Sequence, residues 1–327
     1  IRTLRNLHHV DVGFNAQNLL LFDVEPAMLG YKDEKLVNLY QHAFSRLEAV
    51  PGVESVTFSR NALLSWGSNT SSVYVPHTLG PDGKPLESDA KVHTVRENFL
   101  RTMEIPLLTG RNLTEQDDAR TPRVAVVNQE FARAHFPNEN PDGKCFGFDS
   151  DKPCEFQIVG MARDAKYTSQ RDDIQPTVYQ SWRQNLERAS RVVFEVRTAG
   201  DPTSLAGPIR EAMREVDSNL PLSNIRTQIQ QGDQILAMER TFAKLLTLFG
   251  LIAQQLAAIG LYGVMAYAVS QRTHEIGIRM ALGADRRRVL MMVVREGMTL
   301  TVVGIAIGLV SAFALMKYLE TLTELLF

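Results

Sequence analysis

Residues 245–271 run for 27 positions without a charged side chain, and residues 297–316 do so again for 20. Such runs have to lie where water does not reach. At ~1.5 Å of rise per helical residue they extend about 40 and 30 Å, enough to cross a hydrocarbon core of about 30 Å. Helices buried in a soluble protein are shorter, about 8–20 residues, and keep a polar face. In the second run only Thr and Ser side chains are polar, so membrane spans are expected at 245–271 and 297–316. The mean hydropathy of −0.12 conceals them, because charges are scattered at ordinary density up to Lys244. Gln254 and Gln255 interrupt the first run, and amides at that depth need partners on other helices.

The segment between the runs sets the orientation. Residues 272–296 hold six arginines (Arg272, Arg279, Arg286, Arg287, Arg288 and Arg295) against Glu275, Asp285 and Glu296. Short Arg-rich loops stay in the cytoplasm, which puts everything before the first run on the other side. Arg2 and Arg5 run against that rule, but large translocated domains obey it poorly. An exported domain needs an export signal, and Ile1 begins with neither a leader nor an anchor. A longer membrane protein is therefore expected, with a span before Ile1 and another after Phe327.

Composition narrows the rest. An apolar fraction of 44% and a charged fraction of 22% exclude global disorder. A net charge of −2 gives no reason to expect nucleic acid. Two cysteines are too few for a disulfide scaffold or a four-cysteine zinc site. Cys145 and Cys154 bracket a Gly/Asp/Pro stretch, however, and outside the cytoplasm they can form a disulfide or remain two buried thiols.

The exported part contains a repeated unit. Residues 19–25 read as a strand. Asp33 then caps a helix with Leu36, Leu39, Tyr40, Ala43, Phe44 and Leu47 on one face, and residues 53–58 read as a second strand. The order returns at 191–197, whose alternation suggests a half-buried strand. Asp201–Pro202 starts the next helix, with Leu205, Ile209, Ala212, Met213 and Val216 on one face, and residues 221–227 close the unit. Two such units typically form a four-stranded sheet with both helices on one side, a split βαβ arrangement. Residues 61–190 carry strands at 72–75, 90–95, 123–127, 156–161 and 176–179, with a short helix at 129–135.

The expected fold is α+β: a two-lobed exported domain joined by a helical stalk to membrane helices. The split βαβ lobe comprises 1–60 and 191–227, with a mostly-β lobe inserted at 61–190. The stalk is 228–244, the spans 245–271 and 297–316, the cytoplasmic loop 272–296, and 317–327 begins an outer loop.

Catalytic signatures are missing from this sequence. It has no G-x-x-x-x-G-K-[ST], G-x-S-x-G, H-E-x-x-H or C-x-x-C. Its seven histidines offer no i, i+4 ligand pair, and His8–His9 read as solvated. Asp117–Asp118 and Asp172–Asp173 read as solvated turns rather than acid–base pairs. Gly304 and Gly308 give the second run a small-residue face suited to close helix packing.

The cytoplasmic loop carries the most specific string, QRTHEIGIRMALGA, preceded by AAIGLYGVMAYAVSQR. From its residues alone it is an amphipathic piece, suited to the lipid interface or to a groove on a partner. These strings resemble the permease subunits of the MacB/FtsX superfamily of ABC transporters. GRNLTEQDD, RVAVVNQEFARAHFP, IVGMARDAKY and FEVRTAGDPTSLAGPIREAMREVD resemble the periplasmic core domain of the same permeases, most of all the duplicated acidobacterial-type members and their C-terminal half.

The resemblance implies a non-catalytic permease without cofactors, in the bacterial inner membrane with its large domain periplasmic. ATP would be hydrolysed on a separate cytoplasmic ATP-binding subunit, touched by a coupling loop of Glu275, Ile276, Gly277, Arg279, Ala281, Leu282, Gly283 and Ala284. It further implies a second permease half or copy, and a periplasmic adaptor or outer-membrane partner. Export of drugs, peptides, lipids or lipoproteins is the leading version. The alternative is a regulatory module that activates a periplasmic enzyme without moving cargo.

Overall fold

The computed structural model describes residues 11–65, 69–79, 85–137, 139–169, 173–282 and 286–326. They form two compact units, 1–239 and 240–327.

In the first unit, β1 (Leu19–Val24) is buried along its whole length, as a central strand covered on both faces must be. α1 (Asp33–Glu48) buries the six-residue stripe read from its spacing. Its start differs from expectation. Lys32 is the N-cap, in extended backbone with no side-chain hydrogen bond, and Asp33 lies inside the first turn at φ 49°. There Asp33 and Glu34 set negative charge at the positive end of the helix dipole. Gly52, at φ 91°, turns the chain into β2 (Val53–Ser59).

Far along the chain the unit recurs as β10 (Val192–Thr198), α4 (Ala206–Val216) and β11 (Leu222–Thr227). Asp201 caps a 3₁₀ turn, Pro202–Leu205, rather than α4 itself, accepting from the Thr203 N–H at 2.9 Å. The four strands run β11–β1–β10–β2, every neighbour antiparallel. Register aligns Phe22, Phe194 and Phe58 on one face. Beneath α1 and α4 these rings meet Tyr40, Phe44 and Trp182 in one core.

The inserted residues contribute β3 (Thr70–Leu79), β4 (Pro85–Val95), α2 (Phe99–Thr102), β5 (Leu107–Gly110), β6 (Val124–Asn128), α3 (Gln129–His135), β7 (Cys145–Phe146), β8 (Phe156–Ala162) and β9 (Thr177–Ser181). They do not build a sheet of their own. The eleven strands of the described residues form one sheet, β11–β1–β10–β2–β4–β9–β6–β8–β5, with β3 on β4 and β7 on β8. At β2–β4 the ladder narrows to one pair, Ser59 with Val95. Short strands β5 and β7 had no sequence signal.

The sheet face opposite α1 and α4 is covered too. Leu19, Leu21 and Val193 pack there with Leu63, Leu64, Phe99, Tyr167 and Ile235. β10 is therefore buried at all seven positions, not half-buried as its alternation suggested. Glu195 and Arg197 lie inside.

α5 (Gln228–Gln271) is one helix of 44 residues. Within the first unit its base is tied down: Gln228 Nε2 donates to Leu63 O at 2.8 Å and Gln231 Nε2 to Leu64 O at 3.0 Å. The second unit holds the rest of α5, α6 (Thr273–Ala281) and α7 (Arg286–Leu326). Among the described residues one helix, Thr241–Gln271, is long and apolar enough to cross a membrane. The second expected span falls within α7, in which Gly304–Tyr318 is a shorter apolar stretch among the described residues.

Candidate functional site

α5 ends at Gln271, and Thr273 Oγ1 donates to Ser270 O at 2.7 Å, taking up a carbonyl that a helix end leaves unpaired. α6 starts at once and closes with the Leu282 N–H on Ile278 O at 3.0 Å. Of the expected loop residues, Glu275, Ile276, Gly277, Arg279 and Ala281 lie in α6 and Leu282 directly follows it. Gly283, Ala284 and Asp285 lie outside the described residues, as do His8, His9 and Asp172.

Glu275, Ile278 and Leu282 are spaced to share one helix face, and Ile278 and Leu282 are 50% and 82% exposed. Thr273, His274, Gly277, Ile278 and Ala281 line a shallow hollow. At its centre a Cβ added to Gly277 would meet nothing within 4 Å. The arrangement offers apolar knobs, one carboxylate, the His274 imidazole and an open notch. On α7, Gly304 and Gly308 are exposed and an added Cβ there also meets open space. Gln254 and Gln255 are exposed on α5.

The first unit presents polar groups used structurally. Asp117 is not solvated: it is 5% exposed and takes both Arg111 Nη atoms at 2.8 Å. Burial alone would raise its pKa, but the hydrogen bonds from Arg111 and Thr114 outweigh it and hold the carboxyl below its usual range. His93 is fully buried beside the Tyr167 hydroxyl, and burial pushes its pKa down to about 3, so its ring stays neutral. Glu97 accepts from Trp182 Nε1 at 3.2 Å and Arg183 Nε at 2.8 Å. Arg197 donates to the carbonyls of Thr102, Gln17 and Asn15. No cluster of metal-ligating side chains occurs among the described residues.

Cys145 and Cys154 are bonded to each other. The bridge closes the turn leading from β7 into β8, where a Cβ on Gly147 would stand 1.8 Å from Lys152 O. Removing both thiols as Cys145→Ser/Cys154→Ser is expected to cost about 2–3 kcal/mol, measured by denaturant unfolding. An unchanged midpoint would mean that backbone packing alone holds this turn.

A family model of the MacB-like periplasmic core domain matches residues 8–212, and one of the FtsX-like permease C-terminal matches residues 247–327. The Bacillus subtilis ABC transporter permease YknZ, itself described as uncharacterized, is 27% identical over 234 residues, covering 68% of this chain and 56% of its own length. A macrolide export ATP-binding/permease protein MacB from Azoarcus sp. is 28% identical over 276 residues, 80% of this chain and 40% of its own length. The chain thus spans roughly half or less of these relatives. Among solved structures, the periplasmic region of MacB from Actinobacillus actinomycetemcomitans aligns over 70% of this chain and 97% of its own, with 19% identity and a TM-score of 0.46. Since the core-domain match covers well over half of the 327 residues and the permease match takes up most of the remainder, the chain belongs to the MacB/FtsX-like family of ABC transporter permeases.

Proposed function

We propose that this chain is the permease part of an exporter in which ATP is hydrolysed on a separate cytoplasmic subunit. The observation that carries the reading is α6, a short helix directly after an apolar span, with Glu275, Ile278 and Leu282 turned outward and a notch at Gly277. A helix of this kind suits a groove on a partner protein: Ile278 and Leu282 supply buried area, and the carboxylate fixes register. Gly283 and Ala284 would complete the contact.

In this reading, closure of the ATPase displaces α6, and the movement passes through α5 to the two lobes of the periplasmic domain. Thr241–Gln271 and the apolar part of α7 both cross the inner membrane. A second permease half or copy packs against the small-residue face at Gly304 and Gly308. Cargo is collected outside the inner membrane and moved outward, with help from a periplasmic adaptor or outer-membrane protein.

The test is co-purification of the complete gene product from membranes, as wild type and as Glu275→Arg/Leu282→Asp. The wild type should bring down an ATP-binding subunit, and the variant should retain less than about a tenth of it, since a reversed charge and a buried carboxylate cost several kcal/mol together. Equal recovery with both forms correctly inserted would sink the coupling role of α6.

A further inference from the structure

On the sheet face beneath the base of α5, register places Arg226, Leu21, Glu195 and Thr57 side by side across β11, β1, β10 and β2. Glu195 is 0% exposed. Ser59 Oγ stands 2.5 Å from Oε1, and Oε2 has no partner among the described residues. Ser59 Oγ also stands 2.8 Å from the carbonyl oxygen of Asn61. A serine hydroxyl has one hydrogen. If Glu195 were ionised, two acceptors would compete for it, and a buried carboxylate would be left with half a hydrogen bond at most. One proton added to the carboxyl resolves the count. The acid O–H donates to Ser59 Oγ, and Ser59 donates onward to Asn61 O.

We propose that Glu195 is a neutral carboxylic acid in the folded protein, and that its proton latches the turn 61–64 beneath the base of α5. The turn carries the connection onward: Leu63 O and Leu64 O accept from Gln228 and Gln231, and the Leu64 N–H donates to Tyr167 O at 2.8 Å. The chain of hydrogen bonds thus runs from β10 through β2 and the turn into α5, with every link buried or half-buried.

The charges facing Glu195 are otherwise engaged. Arg226, from β11, pairs with Asp23 at 3.1 Å and binds the Gln231 Oε1, so it does not need Glu195 as counter-ion. Arg197, next along on the same face of β10, is spent on three carbonyls and on Glu104 at 3.3 Å. Arg60, Arg188 and Glu195 all act on the Tyr167 hydroxyl, and His93 beside it is neutral. Burial outweighs the Ser59 hydrogen bond and the Arg226 charge, lifting the carboxyl from its ordinary 4.5 to about 8.

The sign follows. A carboxyl that binds its proton more tightly when folded makes the folded state hold an extra proton between pH 4.5 and about 8. The stability it contributes is full below that window and is lost as pH rises through it. The opening constant of the latch should rise about tenfold per pH unit across the window. The latch stands on the exported domain alone. Its bearing on force transmission rests on the permease reading.

The experiment uses the full chain in nanodiscs, labelled with ¹³C-glutamate, as wild type, Glu195→Gln and Ser59→Ala. Infrared difference spectra at pH 7 should contain a protonated-carboxyl C=O band that is lost in Glu195→Gln and shifted in Ser59→Ala. Amide exchange at residues 61–64 and 228–231, corrected for intrinsic rates, should steepen with pH in the wild type and stay flat in Glu195→Gln, whose amide keeps a neutral donor. Absence of the band in wild type overturns the protonation. A band present together with parallel exchange profiles overturns the latch. The infrared reading needs only the wild type, so a misfolded variant leaves the first test intact, and Ser59→Ala replaces Glu195→Gln in the second. Neither readout involves the ATPase.

Discussion

Phe194→Ala is expected to destabilise the periplasmic core domain by about 3–5 kcal/mol. Phe194 is 0% exposed at the centre of the four-strand ladder. Its ring stacks on Phe22 at 5.2 Å and meets Phe44, Phe58 and Tyr40 at 5.6, 5.7 and 6.0 Å. The neighbours are strand and helix side chains held on both sides, so the site cannot collapse, and the cavity cost adds in full to the lost transfer energy. Met28→Ala, at 74% exposure, should stay within about 0.5 kcal/mol. Denaturant unfolding of the full chain in detergent, followed by Trp182 fluorescence in a Trp66→Phe background, compares the two. Trp182 stands 5.3 Å from Phe58 and so reports on this core. A loss below 1 kcal/mol for Phe194→Ala would mean that α1 and α4 do not close this face in solution.

The aromatic core was readable in advance because its determinants are local. The spacing from Leu36 to Leu47 and the apolar strand at 19–24 state their buried faces within a few residues. The reappearance of strand, helix and strand after residue 190 supplied the pairing. What could not be read has partners far away in sequence. Arg197 reaches Asn15 across 182 residues and Glu97 receives Arg183 across 86, so no short window contains either contact. Glu195 looked like the polar side of an alternating strand, and only the arrival of the α5 base and the turn 61–64 on that face makes it interior. Strand β7 is two residues long and β5 four, too short to show any period. The continuity of the sheet through Ser59 and Val95 depends on a single backbone pair, which no side-chain pattern encodes. For α6 the legibility was of another kind: charge and periodicity gave an amphipathic loop, and its assignment as a coupling element came from the resemblance of one string.

For the proposed permease role, Met238→Pro is the substitution expected to separate binding of the ATP-binding subunit from its mechanical effect. Met238 is 52% exposed in the interior of α5, so its side chain contributes little to any core. A proline there removes one backbone N–H donor and drives its ring against the carbonyl of Gln234, costing about 3 kcal/mol and kinking or breaking the helix. On the N-terminal side, Gln228 and Gln231 remain anchored to the carbonyls of Leu63 and Leu64, so the core domain should keep its fold, with the loss of about 3 kcal/mol falling on α5 itself. On the C-terminal side the apolar Thr241–Gln271 begins after the break, and α6 keeps its sequence, so recovery of the ATP-binding subunit should be unchanged. The quantity expected to fall, by about tenfold or more, is the ATP-dependent change in amide exchange at residues 228–235, as a stiff connection gives way to a hinge. Met238→Ala, which keeps the helix, should behave as wild type and excludes loss of the side chain as the cause. If Met238→Pro retains both the bound subunit and the full ATP-dependent response, α5 is not the path of the movement. Transmission would then have to run through other segments of the assembled protein.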